Sequence, residues 1–320
     1  MRHRSSRPLL RKAWGAPNPR GPAERGVCGR AGSGHNGTVP HFTDEHGVRV
    51  TYYRWLVDDP RGVVQISHGL GEYAGRYVEL AGELNAAGYS VYANDHRGHG
   101  QTGLDQYRGD RSQFGRLGPG GLRATIAGIR QFTALIATKN PEVPLFLLGQ
   151  SWGSLMAQII VNGSAKPYAG LVLVGSAYRM PGSMDGGDLS RRHRPAGGGG
   201  HGYEWLSRDV AVQTAAAEDE FMFEAKVLKL FGLADGLRLF GRPARHFDAP
   251  LPVLILSGSD DILGGEKSAQ KLASAYRRGG LSDVTVRLYP DARHEVLRET
   301  NREEVVTDLL SWLAAHSVAP

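Results

Sequence analysis

The sequence predicts an α/β protein: a mostly parallel, doubly wound sheet with a helical cap inserted before its last strands. Three observations carry that prediction. From about residue 47, short β-branched runs alternate with segments of helical period, the pattern of a parallel sheet whose connections are helices. Several of the runs are almost continuously apolar, as strands covered on both faces must be. The alternation breaks once, between about residues 177 and 247, and then resumes, as an insertion into one domain requires.

Taken in order, the first strands are expected over Val48–Leu56 and Gly62–Ser67. A helix over Tyr77–Ala87 is stopped by Gly88, and a strand follows at Tyr89–Asn94. The next helix places Ile126, Ile129, Phe132 and Ile136 on one face and runs through Pro141 and Pro144 into a strand at Leu145–Leu148. A further helix after Gly153 leads to the strand Leu171–Val174. Residues 179–202 are dominated by Gly, Arg and Pro and read as a mobile loop, with helical segments between Tyr203 and Leu239. A strand at Val253–Ser257, a helix near Glu266–Arg277, a strand at Val284–Tyr289 and a helix over Glu303–Ala315 close the chain. The expected organisation is a basic tail (1–40), one core domain (41–176 and 248–320) and a cap or lid insertion (177–247).

The composition, 41% hydrophobic and 22% charged, is that of an ordinary globular protein. A formal charge of +6 raises the question of a nucleic-acid partner, and the position of the charge answers it. Residues 1–40 hold eight basic residues against the single acid Glu24, whereas the remainder holds 30 basic and 31 acidic residues. A specific nucleic-acid function is therefore not expected of the folded body. The Arg-, Pro- and Gly-rich opening segment, with only Leu9 and Leu10 as an apolar pair, reads as a disordered extension rather than a signal peptide. Its composition also resembles an organelle-targeting leader, and a basic tail or a cap of this kind is suited to transient contact with a membrane surface. Cys28 is the one cysteine, so neither an intrachain disulfide nor a cysteine metal site is expected. With no membrane-spanning run either, the expected location is the cytoplasm.

Gly149-Gln150-Ser151-Trp152-Gly153 stands where a strand ends and a helix begins. This is the G-x-S-x-G nucleophile elbow: a turn so sharp that the neighbours of the serine need minimal side chains, holding the hydroxyl at a helix N-terminus. A serine hydroxyl is a weak nucleophile until a base takes its proton, so a histidine oriented by an acid must follow. Ser257-Gly258-Ser259-Asp260-Asp261 follows one late strand and Arg293-His294-Glu295 follows the next, both at the sheet edge where α/β active sites form. His294 is the expected base. Of the two adjacent acids Asp261 is favoured and Asp260 reads as a turn-capping carboxylate, although position alone leaves both open. An oxyanion hole needs two backbone N–H donors. Trp152 follows the nucleophile, and Leu70, in His68-Gly69-Leu70-Gly71 after an early strand, is the natural second. His68 reads as a residue that fixes this loop by hydrogen bonds. His96 and His99 lack an obvious third metal ligand, so Asp95–Gly100 reads as a hydrogen-bonded turn with Asp95 and Arg97 in structural roles. Gly69-x-Gly71 has Ala74 where a dinucleotide motif needs its third glycine. No cofactor and no metal are expected.

The stretches HGLGEYAGRY (68–77), GYSVYANDHRGHGQT (88–102), GQSWGS (149–154), SGSDD (257–261) and YPDARHEVLRE (289–299) resemble the monoacylglycerol lipase and lysophospholipase-like group of α/β hydrolases, which are serine aminopeptidase-type enzymes. The similarity spans nearly the whole body and implies the α/β-hydrolase fold. It implies Ser151, Asp261 and His294 as catalytic residues, and Leu70 and Trp152 as oxyanion donors. The chain departs from the group at the nucleophile, where Gln150 and Trp152 replace the usual His and Met and the bulk of Trp152 narrows the acyl pocket. It departs also in the Gly- and Arg-rich loop of its cap, which otherwise carries the similar stretch YEWLSRD (203–209).

The expected function is hydrolysis of a carboxylic ester through an acyl-enzyme, on a monoacylglycerol, lysophospholipid or similar single-chain lipid. Phe221, Met222, Phe223, Leu228, Leu230 and Phe231 are candidates for an acyl tunnel or for the cap's own core. An esterase or thioesterase acting on a non-lipid substrate is the alternative, with a peptide amide also open to the same triad. A non-catalytic binding protein would have a broken triad. Chemistry that begins with an aspartate nucleophile is disfavoured by Ser151.

Overall fold

A computed structural model of the chain describes residues 39–197 and 199–317. The basic segment up to residue 38, Cys28 included, lies outside the described residues. Eight strands form one sheet: β1 (His41–Thr43), β2 (Arg49–Trp55), β3 (Gly62–Ser67), β4 (Tyr89–Asn94), β5 (Leu145–Gln150), β6 (Gly170–Val174), β7 (Val253–Gly258) and β8 (Val284–Tyr289). Their spatial order is β1-β2-β4-β3-β5-β6-β7-β8. The first two join antiparallel and the rest run parallel. This is the α/β-hydrolase fold.

The helices are α1 (Val78–Ala86), α2 (Gly100–Gln106), α3 (Gly121–Lys139), α4 (Trp152–Gly163), α5 (Val210–Glu218), α6 (Val227–Arg238), α7 (Gly265–Arg278) and α8 (Arg302–His316). Side chains alternate across the sheet with the two-residue period of a strand. Along β5, Leu145 and Leu147 face a core layer that includes Phe132 of α3, Met156 of α4 and Leu272 of α7. Phe146 and Leu148 face the opposite layer, with Leu84 of α1 and Leu309 of α8. Five strands, β3 to β7, are buried throughout, which explains why their sequences are predominantly apolar. Within α3, Leu122, Ile126, Ile129, Phe132 and Ile136 are buried at helical spacing.

Two elements depart from the sequence expectation. β1 has a single buried residue, Phe42, too little for any periodicity. α2 is poor in helix formers, and tertiary contacts hold it: the Asp95 carboxylate accepts the Gln101 N–H at 2.8 Å, and the Thr102 hydroxyl donates to the Asp95 carbonyl at 2.9 Å. The turn expected at Asp95–Gly100 thus ends as the first turn of a helix. The connection from β6 to β7 carries α5 and α6. Residues 185–194 within it form no helix or strand but fold back through local ion pairs such as Arg194–Asp188, at 3.1 Å.

Candidate active site

The turn between β5 and α4 holds Ser151 at φ 52° and ψ −122°, a conformation that costs a non-glycine residue about 1–3 kcal/mol. Its neighbours explain the glycine spacing. A β-carbon at Gly149 would lie 2.6 Å from Cα of Ser154, and one at Gly153 would collide with the carbonyl oxygens of Ser67 and His68. The Ser151 N–H donates to the Val174 carbonyl at 2.9 Å. The serine side chain consequently stands at the N-terminus of α4 and lines a cavity of about 480 Å³ above the sheet.

His294 lines the same cavity. Its Nδ1 lies 2.9 Å from Oδ1 of Asp261, which also accepts the Leu263 N–H at 2.9 Å, while its Nε2 has no partner among the described residues. Asp261 and His294 are both buried, and the Trp205 ring covers the imidazole at 4.8 Å. Burial opposes protonation of His294. The charge and hydrogen bond of Asp261, helped by Glu295 and Glu72, outweigh it and raise the imidazole above the ordinary histidine range. Asp260 points elsewhere: its carboxylate pairs with Arg192 and lies 3.5 Å from Nε2 of His193, both in the β6–β7 connection. Of the two adjacent acids left open by position, it is therefore Asp261 that meets the histidine.

The loop after β3 is held from both sides. The His96 N–H donates to Nε2 of His68 at 3.0 Å, so the proton of His68 sits on Nδ1 and is donated to the Gly69 carbonyl at 2.8 Å. Burial drops this histidine to about 3, consistent with a neutral clamp. The Gly69 N–H is taken by Oε1 of Glu72 at 2.6 Å. By contrast, the N–H groups of Leu70 and Trp152 are bonded to nothing among the described residues, and both residues flank Ser151 in a second, smaller cavity. The described residues also contain no group of three or more His, Cys, Asp or Glu side chains suited to a metal.

Residues 58–301 match the family described as "Serine aminopeptidase, S33". The chain belongs to this family. It is 31% identical over 294 residues to a monoacylglycerol lipase of Mycolicibacterium smegmatis, covering 86% of this chain and 96% of that one. It is 27% identical to the monoglyceride lipase of Mus musculus, covering 88% and 91% respectively. Among solved structures, a thermostable carboxyl esterase of Bacillus coagulans superposes with a TM-score of 0.74 over 88% of this chain and 99% of its own, at 22% identity. That likeness speaks for the fold.

In this S33 hydrolase the sequence reading missed a buried ionic cluster beside the histidine. Arg76 reaches Oε2 of Glu72 at 2.9 Å and both carboxylate oxygens of Glu295 at 2.8 and 3.0 Å. Arg298 lies 3.6 Å from Glu295 and stacks on the Tyr77 ring at 4.9 Å. Tyr77 in turn donates to Glu72 at 2.8 Å. The acids and arginines stood within the motif stretches, but only the fold brings the loop after β3 against the one after β8. The six apolar residues proposed for an acyl tunnel scatter. Met222 and Phe223 line the large cavity, Phe231 packs on the Trp152 ring at 5.2 Å, Phe221 packs on Tyr73 and Phe114, and Leu228 is 61% exposed. Leu230 approaches Gly115. Among the described residues, no helix is long and apolar enough to cross a membrane.

Proposed function

We propose that this hydrolase cleaves carboxylic esters through an acyl-enzyme on Ser151, acting on single-chain esters of the monoacylglycerol or lysophospholipid type, with residues 177–247 as a cap over the site. The observation that carries the reading is the Asp261–His294 pair at 2.9 Å, whose free Nε2 shares a cavity with Ser151. The Ser151 hydroxyl attacks the ester carbonyl as its proton passes to Nε2 of His294. Asp261 holds the imidazole in the tautomer that can accept the proton and stabilises the imidazolium that results. The oxyanion takes hydrogen bonds from the N–H groups of Leu70 and Trp152, each worth about 100- to 1,000-fold in rate. Collapse breaks the C–O bond, and the His294 proton leaves with the alcohol. Water, deprotonated by the same nitrogen, then releases the acid and restores the serine. The lipid class comes from the relatives, since the monoacylglycerol lipase and monoglyceride lipase are matched over nearly their whole lengths.

The test is labelling with a fluorophosphonate, followed by hydrolysis of nitrophenyl esters, monoacylglycerols and an aminoacyl nitroanilide. The wild type should label and hydrolyse the esters, while Ser151→Ala should neither label nor retain more than about one part in 10⁴ of the turnover. Equal labelling of the two proteins would sink the reading. Turnover of the nitroanilide alone would move the substrate from esters to peptides.

A further inference from the structure

Two cavities meet at Ser151, and they differ in size and chemistry. The larger, about 480 Å³, includes His294 and carries ionic groups such as Glu72, Arg194, Glu224 and Lys226. The smaller, about 40 Å³, lacks His294 and is walled chiefly by Leu70, Trp152, Leu155, Val227, Leu239 and Leu263. The oxygen of the leaving group must come within hydrogen-bond reach of Nε2 of His294 to collect its proton. The alcohol half of an ester therefore occupies the larger cavity, and the acyl half turns into the smaller one. At about 40 Å³ against about 480 Å³, the acyl side is the confined one. The bulkiest side chain lining it is the indole of Trp152, which is 2% exposed and packed between the His99 ring, stacked at 5.3 Å, and the Phe231 ring at 5.2 Å.

Building on the ester-hydrolase reading above, we infer that Trp152 sets an upper limit on acyl length, so that among single-chain esters those joining a short acyl group to a polar alcohol turn over best. The experiment is a series of nitrophenyl esters and monoacylglycerols from acetyl to decanoyl, run on the wild type, Trp152→Met and Leu239→Ala. Leu239 lines the same cavity and supplies no oxyanion donor, so its variant tests the cavity without disturbing the nucleophile turn. For the wild type, kcat/KM should be greatest at two to four carbons and fall by about 10-fold or more once the chain outgrows the cavity. Both variants should move the optimum at least two carbons longer. An optimum at eight or more carbons in the wild type overturns the inference, as does an unchanged profile in both variants. Labelling of Ser151 by the fluorophosphonate separates the two failures: with labelling intact only the length limit falls, and without it the ester-hydrolase reading falls as well.

Discussion

At His294 two effects oppose each other, and their balance is measurable. Burial favours the neutral ring, the neighbouring carboxylates favour the charged one, and the carboxylates prevail. A base must be neutral to act, so kcat/KM for an ester should fall as pH drops through the raised value, with a midpoint above the ordinary histidine value of about 6.5. Asp261→Asn keeps the burial and removes the main opposing charge, so in its residual activity the midpoint should move to lower pH. A pH–rate profile of both proteins checks this. The same substitution should lower kcat by up to about 10⁴, because a neutral amide no longer stabilises the imidazolium and can turn its NH₂ group, rather than its oxygen, toward Nδ1. Asp260→Asn, which only loosens Arg192 and His193 of the β6–β7 connection, should cost less than about 10-fold. Equal losses at the two positions would show that the acid has been misassigned. Motif and chain order single out Ser151 and His294 in the sequence, whereas position alone left the two adjacent acids open and only the resemblance chose Asp261. Neighbouring residues on one loop differ in the direction of their side chains, and that direction exists only in three dimensions.

Between elements, the buried cluster of Glu72, Arg76, Glu295 and Arg298 joins the loop after β3, which carries Leu70 with its unbonded N–H, to the loop after β8, which carries His294. Arg76 is the tie. Its removal in Arg76→Ala would leave two buried carboxylates with only the more distant Arg298, at a cost of up to about 3–5 kcal/mol, and denaturant unfolding should show it, with Arg76→Lys intermediate because an ammonium cannot bridge both acids bidentately. Glu295 adds a pH signature. Burial alone would raise its carboxyl, but Arg76 and Arg298 overcome that and hold it at about 2. A depressed carboxylate stabilises the fold fully above its unfolded value of about 4.3 and loses that contribution as pH falls toward 2. Between those limits the wild type should lose stability on acidification more steeply than Glu295→Gln, as thermal melts at several pH values would reveal. The strands and long helices that position these loops were readable because burial imposes a two- or four-residue rhythm on sequence. β1 and α2 carry no such rhythm. The one is three residues with one buried side chain, and the other is held by the Asp95 carboxylate rather than by its own composition.

Over the whole molecule, the order of strands and helices was legible because each of them leaves a local signature. The cavities were not, since their walls draw on Leu70, Trp152, Leu239 and Leu263 from four separate stretches. Charge is likewise a property of the whole chain that local reading apportions well. The eight basic residues of the opening segment outweigh its one acid, against 30 basic and 31 acidic residues in the rest. Every residue assigned a part in the chemistry lies between His68 and His294, and β1, the first strand, begins at His41. Removing residues 1–38 should therefore leave ester hydrolysis unchanged and shift the melting temperature by no more than about 2–4 °C. The same truncation should sharply weaken retention on a cation exchanger and abolish any salt-dependent binding to polyanions such as nucleic acid. If the shortened chain instead kept polyanion binding and lost hydrolysis, the partition of charge from chemistry along this sequence would be wrong.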